Sequence, residues 1–502
     1  MPGTSGERGP FLNALQKIRN SKSDFGYNLG AATVSAILLL EASMTNVTRR
    51  VSDWACGVQF EDLPPEVVHE AKRFLMDSVG CALGGAQQHD VHIARDVLTE
   101  TAGSGNCRVM VTGELWDPVS ASLLNALMIR VMDYNDIYWK QDPSHPSDLI
   151  PAAMAAAERA GGSGRDLLVG IALAYEFEQR LCEVSFPGVR EIGWHHATLT
   201  AAAAPIAAAR MLGLDAEQMQ HAIGISASRH CTTGSVTAGK LTMMKNTVDP
   251  MATQSGMLAA LLAERGYTGP EHVLDGKEGF SHVFDSEWKF DILTDGLGDS
   301  WRILQCGMKF FPTEALTHTP ISATLDLMTE NDLAPEAVET VTIYSLARAA
   351  DILADPSKYD PRSKETADHS LPYVIAAAVA ERQVTPLQFT DAKIMDPTIR
   401  DQLDKVKVIA DPEIEAVFPE LQRVRVVIRT TDGREFEKQL DYPKGDPRNP
   451  LTDDEIAGKF AALAEGIATP ADVERMRAAV NRTEEYDDIR ELMSELVVKN
   501  QE

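Results

Sequence analysis

The chain has 502 residues, a formal net charge of −27 and a hydrophobic fraction of 44%. Length and composition describe a globular protein with a large core and room for more than one domain. The acidic balance argues against a nucleic-acid partner, which needs a basic face, and makes any anionic substrate depend on a local cluster of cations.

Six cysteines, Cys56, Cys81, Cys107, Cys182, Cys231 and Cys306, lie far apart, and no two have zinc-ribbon or iron–sulfur spacing. The simplest reading is a reduced, cytoplasmic chain without a metal. No segment reaches the roughly 20 apolar residues of a membrane helix, so no membrane association is expected. Residues 1–43 place Lys17, Arg19 and Lys22 ahead of an apolar run ending Ala36 to Leu40. They read as a poorly ordered extension before a core that begins near Met44, in preference to a signal or transit segment. A eukaryotic source would move the expected compartment to the mitochondrial matrix.

From Met44 to about residue 300 the pattern is helical. Pro64-Pro65-Glu66 opens a helix with apolar positions Val68, Ala71, Leu75 and Val79. Asp117-Pro118 caps and starts another. Ser163 to Cys182, His196 to Leu212, Asp215 to Ser226 and Asp249 to Arg265 read as further helices. After about Gln305 the character changes. Val338 to Tyr344 and Arg423 to Arg429 alternate like strands, and Thr431-Asp432-Gly433-Arg434 reads as the turn to a return strand. Pro443 to Pro447 reads as an exit linker. The expected class is therefore mainly α with a smaller α+β domain. A large helical domain is built from 44–304 and 448–502, and a smaller α+β domain, 305–447, is inserted between them. A cleft is expected where the two meet.

Several stretches carry chemistry. Asp133-Tyr134-Asn135-Asp136 through His145-Pro146-Ser147-Asp148 follows an apolar helix as a dense polar segment. Ser147 and Asp148 also suit a helix N-terminus, where Ser147 would cap. His195 and His196 precede an Ala-rich helix. Being adjacent, they cannot share one helix face, which argues against joint metal chelation, but either ring could meet an anion at the helix start. Gly234 to Leu241 nearly matches a phosphate-binding loop, yet Leu241 stands where a Ser/Thr is needed, so a nucleotide-binding protein is the weaker alternative. The same loop still presents Lys240 and then Lys245. Lys309 to Glu314, with His318, sits at the expected hinge. Lys364-Glu365-Thr366-Ala367-Asp368-His369-Ser370-Leu371-Pro372-Tyr373 packs cations, acids, an imidazole and a phenol ahead of an apolar segment.

Taken in order, these stretches resemble the MmgE/PrpD family. The likeness covers almost the whole chain from Met44 and is greatest to the branch that dehydrates 2-methylcitrate. It rests on Asp133–Asp136 with His145–Asp148, on Met244-Lys245-Asn246, on Lys309–Glu314 and, most specifically, on Lys364–Tyr373. Ile137 departs from the usual threonine and Leu149 from asparagine, and Gly193-Trp194-His195-His196 looks more like the decarboxylase branch. The resemblance implies the helical-plus-lid fold, a homodimer, no cofactor and a small tricarboxylate substrate. It implies a lyase that dehydrates 2-methylcitrate or a related alkylcitrate, with decarboxylation of cis-aconitate or epimerisation as alternatives.

Such a dehydration needs a base, an acid for the departing hydroxyl, and cations to hold developing negative charge. Lys245, Lys309 and Lys240 are the expected cations. His145 is the expected proton-transfer residue, with Asp133 orienting it or acting as base itself. His195, His196, His369 and Tyr373 are expected donors. Asp136, Ser147, Asp148, Glu314 and Lys364 complete the expected substrate site.

Overall fold

The computed structural model describes residues 46–239 and 241–499. The expectations for residues 1–43 and for Lys240 lie outside the described residues.

Helix α1 (Pro65–Gly85) starts on Pro65, whose missing N–H costs nothing in a first turn. It buries Val67, Ala71, Phe74 and Leu75. Helix α2 (Pro118–Arg130) is capped by Asp117, whose Oδ1 accepts the N–H groups of Val119 and Ser120 at 3.0 Å. Helices α3 (Ile150–Ala160), α4 (Gly164–Leu181), α5 (Ala197–Met211) and α6 (Ala216–Arg229) follow. Ser163 and Asp215 close capping boxes ahead of α4 and α6. Helix α7 (Met244–Glu264) begins five residues before the expected Asp249, and Pro250 sits inside it. The sequence reading started this helix at Asp249, but the chain is already helical there. That earlier start carries Lys245 onto the helix.

The polar segment after α2, expected as loop, holds strand β1 (Asp136–Trp139), which pairs antiparallel with β2 (Gly307–Met308). Beyond it, α8 (His318–Glu330) and α9 (Leu371–Glu381) pack with a four-stranded sheet. The sheet order is Glu435–Leu440, Val424–Thr430, Val338–Ser345, Val406–Ala410. The first two pairings are antiparallel and the last is parallel. Gly433 takes φ +88° in the hairpin turn. The strand Val406–Ala410 is the piece of this sheet that the sequence reading missed; it is short, and only Val406 is buried.

Two hydrophobic cores result. One joins the helices up to Met308 with the C-terminal residues Leu451, Ile456, Phe460, Leu463 and Met476. The other runs from Phe311 to Ile428, with Trp139. Chain leaves the first core and returns to it at one place: the Met308 N–H donates to the Gly445 carbonyl at 2.9 Å. Gly445 has φ +95°, and a Cβ there would lie 1.9 Å from the Met308 oxygen. Only glycine fits this crossing. No helix of the described residues is long and apolar enough to cross a membrane.

Candidate active site

Beyond the end of α2 the chain turns through Asp133, a non-glycine residue at φ +53°. A side chain in that region marks stored strain. The buried carboxylate is surrounded by cations. Arg130 donates to Oδ1, Lys309 Nζ lies 2.9 Å from the same oxygen, and Lys245 Nζ lies 3.4 Å from Oδ2. Lys309 Nζ also donates to the Asp133 carbonyl at 3.1 Å. The Lys245, Lys309 and Arg130 charges outweigh burial and hold the Asp133 pKa well below the usual carboxylate range. Burial in turn lowers the Lys309 pKa. Lys245 is 2% exposed and makes no hydrogen bond to a described residue; its second carboxylate, Asp368, is 3.8 Å away.

His145 lies across from this cluster. Its Nδ1 is 2.7 Å from the backbone carbonyl oxygen of Asp136. A carbonyl only accepts, so Nδ1 carries the proton and Nε2 keeps its lone pair. Burial, then the nearby Arg130 and Lys309 charges, lower its pKa well below 6.5, so the ring is neutral. The Asp133 carboxylate is not its hydrogen-bond partner, contrary to the expected Asp133–His145 pairing.

His195 and His196 stand side by side, ring centroids 4.0 Å apart, because they precede α5 and are not on its faces. His196 Nε2 is 3.4 Å from Asp249 Oδ2. The His196 and His195 charges lower the Asp249 pKa despite burial. Ligand atoms of His195, His196 and Asp249 all lie within 4.8 Å, the one such group among the described residues. The premise that adjacent histidines cannot converge is thereby corrected. Nevertheless the group does not suit a metal. His195 Nδ1 accepts the Ala197 N–H at 3.1 Å, so its Nε2 is protonated and has no lone pair to give. The Arg130 guanidinium, 3.8 Å from Asp249, adds repulsion.

The second core supplies the Lys364–Tyr373 stretch. His369 Nδ1 sits 2.6 Å from Asp368 Oδ1, and its Nε2 is 4.0 Å from Asp133. Burial lowers the His369 pKa to about 4, while Lys245 and Lys364 hold Asp368 at about 2 against its burial. Glu314 caps a short turn by accepting the Leu316 N–H at 2.7 Å, and burial raises its pKa to about 7.

A cavity of about 50 Å³ is lined by Arg130, Asp133, His145, Lys245, Lys309 and His369. His195, His196 and Glu314 border it as well, as do Arg190 and Lys358. A cavity of about 650 Å³ adjoins it across Ile137, Trp139, Lys309 and Ala315. The smaller cavity has room for no more than a few water-sized groups; a citrate-sized molecule enters only if a wall moves.

Five expected site residues do not reach the cavity. Asp136 accepts from the Ser147 N–H at 2.9 Å and the Ser147 hydroxyl at 2.6 Å, so this pair braces the turn that aims His145. Ser147 does not cap a helix: its hydroxyl is engaged by Asp136 and Asn135. Asp148, fully buried and with its pKa raised by burial, sits behind Arg130 at 3.4 Å. Lys364 donates to the Val131 carbonyl at 2.7 Å and to Asp368 at 3.2 Å. Tyr373 packs in the second core, its hydroxyl on the Gln388 carbonyl.

The sequence reading missed Arg130, Asp249, Asp368 and Lys459. Lys459, from the helix Asp453–Ala464, pairs with Asp77 at 2.7 Å and donates to the carbonyls of Tyr134 at 2.6 Å and Lys309 at 3.0 Å. It ties the chain's end to the site backbone. A buried cation at an apolar helix end was the one signal for Arg130.

The MmgE/PrpD N-terminal domain matches residues 49–293 and the MmgE/PrpD C-terminal domain matches residues 311–485. Cis-aconitate decarboxylase of Aspergillus terreus is 25% identical over 89% of this chain and 95% of its own length. The human cis-aconitate decarboxylase is 26% identical over 89% and 93%. The mitochondrial 2-methylcitrate dehydratase of Yarrowia lipolytica is 25% identical over 94% of both chains. With both domains matched in order over most of its length, the chain belongs to the MmgE/PrpD family.

Proposed function

We propose that the chain is a lyase acting on a tricarboxylate of the citrate and aconitate class, and that it dehydrates 2-methylcitrate or a close alkylcitrate by acid/base chemistry. The observation that carries this is a neutral imidazole, His145, with its Nδ1–H tied to a carbonyl and its Nε2 lone pair free beside buried cations. Nε2 removes the proton next to a carboxylate. Arg130, Lys245 and Lys309 hold the negative charge that develops. Lys309, its ammonium made more acidic by burial, gives a proton to the departing hydroxyl, which leaves as water. The proton on His145 then returns to Lys309 through solvent. Asp133 fixes the cations, and Asp368 fixes His369 as a carboxylate donor. Residues 305–447 act as a lid whose movement at Met308 and Gly445 admits substrate, and the working unit is a homodimer.

Decarboxylation is the second reading, favoured by the relatives named cis-aconitate decarboxylase. Loss of carbon dioxide leaves a carbanion that needs the acid but not the base. NMR analysis of products from 2-methylcitrate, citrate and cis-aconitate, offered separately, tests both. Loss of water supports dehydration, and release of carbon dioxide supports the second reading. An unchanged mass with inverted stereochemistry would mean epimerisation, and no turnover of any of the three would contradict a tricarboxylate lyase.

A further inference from the structure

We infer that Arg190 and Lys358 form a subsite for a carboxylate of the substrate remote from the reacting carbons, and so set the preference for three carboxylates over two. This rests on the tricarboxylate reading above. The remaining cations of the cavity are matched. Arg130 and Lys309 lie on Asp133, and Lys245 lies between Asp133 and Asp368. Arg190 and Lys358 are different. Both line the cavity, and neither side chain makes a hydrogen bond or ion pair with a described residue. Lys358 is only 3% exposed.

The carboxylates nearest to them are engaged or neutralised. Asp142 accepts the backbone N–H groups of Val189 at 2.8 Å and Arg190 at 3.0 Å. Glu314 is half protonated near neutral pH. Asp355 accepts the Ser357 N–H at 2.8 Å, and Asp368 holds His369. Burial lowers the pKa of both cations, which marks charge held without full compensation. In a chain of net charge −27, a buried Lys358 and a half-buried Arg190 facing one cavity without a carboxylate partner are costly unless an anion completes them. Arg190 is set for this by its loop: the Asp142 contact pins its backbone, and its guanidinium lies 6.0 Å from the Trp139 ring centroid. Arg190 follows Val189 of the first core, and Lys358 follows Leu353 of the second. One bound carboxylate would therefore link the two cores. Neither residue stood out in the sequence, since each lies in a short turn with no motif.

Calorimetric titration with tricarballylate, which has three carboxylates and no hydroxyl to lose, and with glutarate, which has two, tests the inference without turnover. Arg190→Gln and Lys358→Met should each weaken tricarballylate binding about tenfold or more, the scale of one charge-assisted contact. Glutarate binding should stay within about twofold, and Lys358→Arg should recover most of the loss. Unchanged tricarballylate binding in both folded variants would overturn the subsite while leaving the lyase reading intact. Misfolding of both would assign the pair to the fold and overturn it too. If the wild type binds no tricarboxylate, the lyase reading and the subsite fall together.

Discussion

The Nδ1–H of His145 points at the backbone carbonyl of Asp136, 2.7 Å away, while the Asp136 carboxylate on the same residue holds the following turn through Ser147. One residue thus sets both the tautomer and the position of the ring. Since the His145 pKa is lowered, the ring stays neutral through neutral pH and charges only well below 6.5. The acid limb of kcat/KM should therefore lie well below pH 6.5, with a flat region above. A limb at or above 6.5 in the pH–rate profile would place another group in the base role.

Asp133→Asn should destabilise the fold and abolish turnover. The change leaves Arg130 and Lys309 buried without their shared carboxylate, a loss on the scale of about 3–5 kcal/mol for one partner of a buried pair. The sign with pH follows from its lowered pKa: the stability it gives is present above the unfolded carboxylate pKa and is lost as pH falls. Denaturant melts of wild type and variant should converge toward acid pH. Parallel curves down to pH 3 would refute this.

Lys245→Ala should behave differently. Its ammonium makes no hydrogen bond to a described residue, and Asp133 keeps two other cations. Transition-state stabilisation should fall by about 2–3 kcal/mol, the scale of one lost oxyanion donor, with a small change in melting temperature. Steady-state kinetics beside a thermal melt decide the matter; activity within a few-fold of wild type would make Lys245 structural.

Glu314 gives the opposite pH signature to Asp133. Its folded pKa of about 7 is raised by burial, so stability should decline as pH rises from the unfolded carboxylate range through about 7. Glu314→Gln should flatten that decline. A wild-type curve that rises across the same window, with no difference in the variant, would contradict the buried acid.

Tyr373→Phe should cost about 1 kcal/mol of stability, the scale of one buried hydrogen bond, and leave kcat and KM unchanged. The hydroxyl is committed to the Gln388 carbonyl in the second core. A kcat loss of tenfold or more would return the phenol to the chemistry.

These residues also show what the sequence could carry. Caps such as Asp117, Ser163 and Asp215 act within a few residues, so the helices they start were legible. Lys245, Lys309, His145 and His369 were legible as chemistry because their motifs keep cations and imidazoles close in sequence. Asp133 was read as partner of His145 or base and Asp136 as part of the substrate site. A left-handed turn at one and a strand at the other separate the cation hub from the brace. Asp249 was illegible because its partners His196 and Arg130 lie on other elements, and Arg130 because two of its three carboxylates, Asp148 and Asp249, lie beyond its own turn.

Turnover of 2-methylcitrate by the EDTA-treated protein, measured beside His145→Gln, tests the central claim. The wild type should keep its activity after chelation, because the acid, base and cations are its own side chains. The variant should fall at least about hundredfold at unchanged melting temperature, the lower end of a general base's contribution. Activity that returns only when a metal is added back, or a variant that turns over at the wild-type rate, would contradict the account.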